Sequence, residues 1–125
     1  MEIASPLRMS NIKSFRDLVA WQKAMTLAES VFKATESFPA RERFGLAHQM
    51  RKSAVSIASN IAEGTRHPTA SYKHYVVIAL GSHAELDTQC ELAARLRLVS
   101  QCDYSSLNRL LNDVGCLAHA LLNSL

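Results

Sequence analysis

Residues 49–64, Gln-Met-Arg-Lys-Ser-Ala-Val-Ser-Ile-Ala-Ser-Asn-Ile-Ala-Glu-Gly, constrain the fold more than any other stretch of the 125-residue chain. With Ala47 just before them, Met50, Ala54, Ile57 and Ile61 recur at alternating spacings of three and four, which sets one apolar stripe along a helix. Small residues line both sides of that stripe: Ser53, Ser56 and Asn60 on one flank, Val55, Ala58 and Ala62 on the other. Small flanks allow neighbouring backbones to come close, so the segment reads as a helix packed on two sides. Gly64 is expected to end it as a left-handed C-cap.

Three further helices follow from the same period. Ser14-Phe-Arg-Asp17 forms an S-x-x-D capping pattern, so a first helix is expected from about Phe15, with Leu18, Trp21, Met25, Ala28 and Phe32 as its stripe. Ala20, Leu27 and Val31 fall outside that stripe, giving this helix more apolar width than one core needs. Burial between two neighbours within the monomer and a share in a subunit interface are equally good accounts. Phe38-Pro39 ends the helix.

A third helix is expected over about Ala70 to Leu98, capped by Thr69 or Ser71, with Tyr72, Tyr75, Val76, Ala79, His83, Leu86, Cys90 and Ala93 on its buried side. Gly81 inside it should be compensated by close packing. The fourth, about Tyr104 to Leu122, has a broad apolar face of Leu107, Leu110, Leu111, Val114, Leu117, Ala118 and Leu121.

Short connections between four such helices predict an all-α, antiparallel up-down-up-down four-helix bundle. One domain over 14–125 is expected, after a flexible segment over 1–13, with disorder also expected in the last few residues. Hydrophobic residues make up 48% and Gly plus Pro only seven positions, which argues against both disorder and a loop-rich β fold. Charged residues interrupt every apolar run before it reaches bilayer length, and Met1 to Ser14 lacks a secretory apolar region. No membrane association and a cytoplasmic, bacterial-type location are therefore expected. Cys90, Cys102 and Cys116 form no CxxC pair and read as small core residues.

Chemistry is harder to find. A di-iron bundle needs Glu-x-x-His motifs, and no histidine here follows a glutamate at that spacing. His83 and Asp87, one turn apart, read better as a hydrogen-bonded histidine than as a metal pair. No Gly-x-Ser-x-Gly elbow, Walker loop or Gly-x-Gly-x-x-Gly occurs. Neither cofactor nor metal is expected. Arg43-Phe-Gly-Leu-Ala-His48 has the Arg-to-His spacing that resembles the motif of HEPN-type ribonucleases, in which the histidine assists proton transfer and the arginine stabilises phosphate charge.

The net charge of +3 is unevenly spread, with six cations against two acids over residues 41–73. Arg41, Arg43, Arg51, Lys52, Arg66 and Lys73 are the candidate phosphate contacts. Arg51 borders the apolar stripe, with Glu85 or Glu91 as candidate partners. Antiparallel helices put Arg41 and Arg43 at one end of the bundle and Arg66 and Lys73 at the other, so an assembly is needed to align them.

Ser14-Phe-Arg-Asp-Leu-Val-Ala-Trp-Gln-Lys-Ala24, Phe38-Pro39, Glu42-Arg-Phe-Gly-Leu46, Gln49 to Gly64 and Ala79-Leu-Gly-Ser-His-Ala-Glu-Leu86 together resemble one known family. These are the four-helix bundle proteins first described as encoded in intervening sequences of bacterial large-subunit ribosomal RNA genes. The resemblance runs from Ser14 to about Leu122. It implies an antiparallel bundle assembling into a ring, commonly a homopentamer, with no established enzymatic activity. A more distant similarity is to the accessory proteins of diversity-generating retroelements, whose pentamers bind nucleic acid and a reverse transcriptase. The expected function is a non-enzymatic homo-oligomer that binds RNA or DNA through phosphate contacts. The alternatives are a structural adaptor for a partner protein and, less favoured, a ribonuclease using Arg43 and His48.

Overall fold

The computed structural model describes residues 13–125 as four helices, with no strand among them: α1 (Val19–Thr35), α2 (Leu46–Gly64), α3 (Thr69–Arg95) and α4 (Gln101–Ser124). The segment expected to be flexible, 1–13, lies outside the described residues apart from Lys13. The C-terminal residues belong to α4 as far as Ser124, which corrects the expectation of a disordered end.

Each helix packs against its sequence neighbours, and α1 closes the ring against α4. Contacts between neighbours pair rising residue numbers with falling ones: Gly64 meets Tyr72 while Ser56 meets Ser82, and His83 meets Leu111 while Glu91 lies near Tyr104. The short connections and these pairings agree with an antiparallel arrangement.

The Ser14 cap forms, but on a separate turn. Ser14 Oγ accepts from the Arg16 amide at 3.2 Å, and Asp17 Oδ2 accepts from the Lys13 and Ser14 amides at 3.0 and 3.3 Å. What it caps is a 3₁₀ turn, Phe15–Asp17, after which Leu18 is extended (ψ 126°) and fully buried. The α-helix starts at Val19 rather than Phe15. Gln22 Nε2 latches the turn to α1 by donating to the Arg16 carbonyl at 2.8 Å.

That extended residue also shifts the helix's phase. A stripe counted from Leu18 carries across a break in the helix, so the core side of α1 is Ala20, Ala24, Leu27, Ala28, Val31 and Thr35. Of the expected stripe beyond Leu18, only Ala28 is buried; Met25 and Phe32 are 40% and 42% exposed.

The stripe of α2 is as expected, with Ala47, Met50, Ala54, Ile57 and Ile61 all buried. Gly64, however, is the last residue of α2 and has a negative φ. Its missing side chain is explained by packing: a Cβ would stand 2.8 Å from Tyr72 Cδ1 and 3.1 Å from Tyr75 Cβ. Thr65 takes the C-cap, its hydroxyl donating to the Ala62 carbonyl at 2.7 Å.

Pro68, not Thr69 or Ser71, stands at the N-cap of α3. Tyr72, Val76, Ala79, Ser82, Leu86, Cys90 and Ala93 are buried along it, while Tyr75 and His83 are only half-buried. At its other end the left-handed residue is Arg97 (φ 61°), with the Leu98 amide donating to Ala93 O at 2.9 Å and the Arg97 amide to Ala94 O at 3.0 Å. This is a Schellman ending with arginine in the place glycine usually takes. Helix α4 begins three residues earlier than expected, because Ser100 Oγ accepts from the Asp103 amide at 3.0 Å and caps it.

Candidate functional site

The candidate cations fall into two groups. Arg41 and Arg43 lie on the exposed connection between α1 and α2, and Lys52 is exposed on α2 one turn beyond exposed His48. Arg66 follows the end of α2, and Lys73 sits near the start of α3. Arg41 and Arg43 stand at the opposite end of α2 from Arg66 and Lys73, on the order of 25–30 Å away at 1.5 Å per residue, with Lys52 between. Within one copy they do not form one patch.

Arg51 stands apart from both. Its Nε donates to Thr35 Oγ1 at 2.8 Å and its Nη2 to the Phe32 carbonyl at 3.5 Å, while the guanidinium lies 4.9 Å from the centre of the Phe32 ring. It therefore ties α2 to the last turn of α1, where backbone carbonyls lack helical partners. Glu85 and Glu91 are not its partners: Glu91 accepts from Arg95 Nη2 at 2.7 Å instead.

The N-terminus of α2 has no side-chain cap and no acid in its first turn. Its positive end follows directly on Arg41, Arg43 and Phe44 and adds to their charge, which Glu42 between the two arginines offsets in part. Arg41 has one weak partner, Glu42 at 4.0 Å, and the Arg43 guanidinium has none among the described residues.

At the opposite end, the His67 ring stacks on Tyr75 with centroids 4.8 Å apart, and His67 Nε2 lies 4.0 Å from Glu63 Oε2. The Glu63 carboxylate beside the Tyr75 hydroxyl raises the phenol's pKa. This acid moderates the charge around Arg66 and Lys73.

A different kind of site lies between α1 and α2. Met25, Ala28, Phe32, Val55, Ala58 and Ser59 floor an open groove of about 500 Å³, with Glu29, Lys33 and Glu36 at its edge. Met25, Phe32 and Val55 are 40%, 42% and 46% exposed, so this is apolar surface that the bundle itself leaves uncovered. Val77, Ile78, Leu92 and Leu96 are further exposed apolar residues on and just after α3.

The remaining candidates are structural. His83 Nε2 donates to the Leu111 carbonyl at 2.6 Å, not to Asp87, and its ring fills the space over Gly115, where a Cβ would be 3.0 Å away. Of the cysteines only Cys90 is buried, and burial pushes its thiol up to about 12; Cys102 and Cys116 are exposed, contrary to the expected core role. Among the described residues no group of three metal-ligating side chains converges. Arg43 and His48 are both exposed, and no hydrogen bond joins them.

Two features escape a reading of the sequence. The groove requires Val55 to face Met25 and Phe32, which only the corrected phase of α1 reveals. Phe44 is 86% exposed, the most exposed of the large apolar side chains among the described residues. Its signal lies in its setting, an aromatic residue between Arg43 and Gly45 in a turn.

Comparison with known proteins places this geometry. A crystal structure of a protein of unknown function from the S23 ribosomal protein family of Bacteroides thetaiotaomicron has the same fold, with a TM-score of 0.78 and 21% identity over 84% of this chain and 96% of that one. No curated protein matches the chain significantly. The profile of the 23S rRNA-intervening sequence proteins matches residues 16–120, nearly the whole bundle, and the chain belongs to that family.

Proposed function

We propose that this chain is a non-enzymatic, self-assembling helical bundle that holds RNA or DNA through phosphate contacts, with assembly bringing together cations that one copy keeps apart. The observation that carries this reading is the groove between α1 and α2. An isolated bundle has no use for Met25, Phe32 and Val55 on its surface, whereas burying them in another copy removes apolar area from water at about 25 cal/mol per Å². A ring built this way, pentameric in the form the family resemblance suggests, repeats Arg41, Arg43 and Lys52, and Arg66 and Lys73, around its axis. Binding through such contacts is insensitive to sequence and weakens steeply with salt.

The test joins light scattering to equilibrium binding of mixed-sequence RNA and DNA at low and moderate salt. The wild-type protein is expected to be oligomeric and to bind both polymers. Val55→Asp, at a surface position where substitutions usually change stability by less than about 0.5 kcal/mol, should leave a folded monomer with much weaker binding. A wild-type protein that is monomeric, or that binds neither polymer at low salt, defeats the proposal.

The groove also favours a second reading, a structural adaptor. Its length along two helices and its apolar floor suit a partner's amphipathic helix. A stable protein partner recovered without nucleic acid, and abolished by Val55→Asp, selects the adaptor. RNA cleavage abolished by His48→Ala in a folded protein selects the ribonuclease instead.

A further inference from the structure

From the α1–α2 connection we infer that Phe44 is a stacking platform for an unpaired base, making this end of the bundle a contact for single-stranded nucleic acid rather than for duplex. The inference rests on the phosphate-binding reading above and adds to it a side chain and a strand preference.

An 86% exposed phenylalanine forfeits the burial that normally justifies an aromatic residue. Met25, Phe32 and Val55, also exposed, share the groove. Phe44 belongs to neither that groove nor the core. Cations flank it: Arg43 precedes it with no side-chain partner among the described residues, Arg41 stands three residues earlier in a weak pair with Glu42, and Lys52 continues on the exposed side of α2. No ring or cation stacks on Phe44 among the described residues, and Arg51 covers Phe32 instead.

An exposed aromatic face among flanking cations is the arrangement that holds single strands: the ring stacks on a base and the cations follow the backbone. A duplex keeps its bases stacked on one another and offers the ring nothing, while still presenting phosphates to Arg41 and Arg43. Stacking is tolerant of base identity, so the contact adds strand preference without sequence preference.

The experiment measures equilibrium binding of a labelled oligothymidylate and of a duplex of equal length over a salt series, for the wild type, Phe44→Ala, Phe44→Trp and the double variant Arg41→Ala with Arg43→Ala. Wild type should prefer the single strand. Phe44→Ala should weaken single-strand binding about five- to 150-fold, the range for one stacked base, with the salt slope and duplex affinity unchanged. Phe44→Trp should keep or improve single-strand binding. The double arginine variant should weaken both ligands and flatten the single-strand slope by about 0.7 for each phosphate no longer neutralised.

Single-strand binding that survives Phe44→Ala but falls in the arginine variant overturns the stacking role and leaves the phosphate reading intact. A change of oligomeric state on Phe44→Ala also overturns it, making Phe44 a contact between copies. If the wild type binds neither ligand at low salt, both readings fall together.

Discussion

The two flanks of α2 carry similarly small side chains and meet different fates. On the Ser53, Ser56 and Asn60 flank, α3 closes in: Ser56 and Ser82 share a hydrogen bond of 2.7 Å, Ser53 and Ser82 are buried, and Gly64 admits the Tyr72 ring. Towards Val55 and Ala58, α1 turns Met25 and Phe32 alongside, and the surface stays open as a groove. Small side chains permit close approach but do not create it. A second helix must arrive with a complementary face, and for the groove that helix is not supplied by this chain's own bundle.

The strongest way to break the closed flank is alkaline pH. Burial pushes the Tyr72 phenol and the Cys90 thiol, both on α3, up to about 12 from ordinary values of 10.0 and 9.0. Because the folded state holds these protons more tightly than the unfolded state, their contribution is complete below pH 9. It falls as Cys90 deprotonates in the unfolded chain and, above pH 10, as Tyr72 joins it, until both titrate in the folded state near pH 12. Each group steepens the loss by at most about 1.4 kcal/mol per pH unit. Urea unfolding at intervals from pH 8 to about 11 should show this decline. Tyr72→Phe should remove the part above pH 10 at little cost at neutral pH, since the buried hydroxyl has no hydrogen-bond partner among the described residues.

Gly64→Ala attacks the same flank sterically. The added Cβ overlaps the ring of Tyr72, which is 1% exposed, so overpacking should cost about 1–3 kcal/mol. The shift of the urea midpoint measures it. A neutral result means that the α2–α3 packing yields easily and that the flanks differ less than their geometry suggests.

These cases show what periodicity conveys and where it stops. The α2 stripe is fully legible because that helix has one strongly apolar line and small residues elsewhere. In α1, two lines compete, and the choice between Leu27 with Val31 and Met25 with Phe32 is made by a break at Leu18 that no periodic count contains. Gly64 stands out in the sequence for the wrong reason, since a left-handed cap and a close approach both call for glycine. Charge suggests charge, so the sequence directs Arg51 to an acid, yet a hydroxyl and a carbonyl at the end of α1 lie within reach first. Of the candidate phosphate contacts, the cations and their division between two ends are legible in sequence, but the exposure of Phe44 beside Arg43 is not.

Gly81 supplies the smallest effect and a control of opposite sign. It lies in the interior of α3 on the exposed side, and an added Cβ meets nothing within 4 Å, so the expected close packing is absent among the described residues. Glycine there carries only its backbone entropy cost, and Gly81→Ala should stabilise the protein by about 0.5–1 kcal/mol. Measured beside Gly64→Ala, it separates a glycine required by a neighbour from one that merely weakens its helix. Repeating both at low and high protein concentration sharpens the contrast further. If copies join through the α1–α2 groove alone, the gain from Gly81→Ala persists in the assembled state. A gain that turns into a loss as the protein assembles places another copy against α3 at Gly81, and the outer face of α3 then becomes a second closed flank, completed between copies instead of within one.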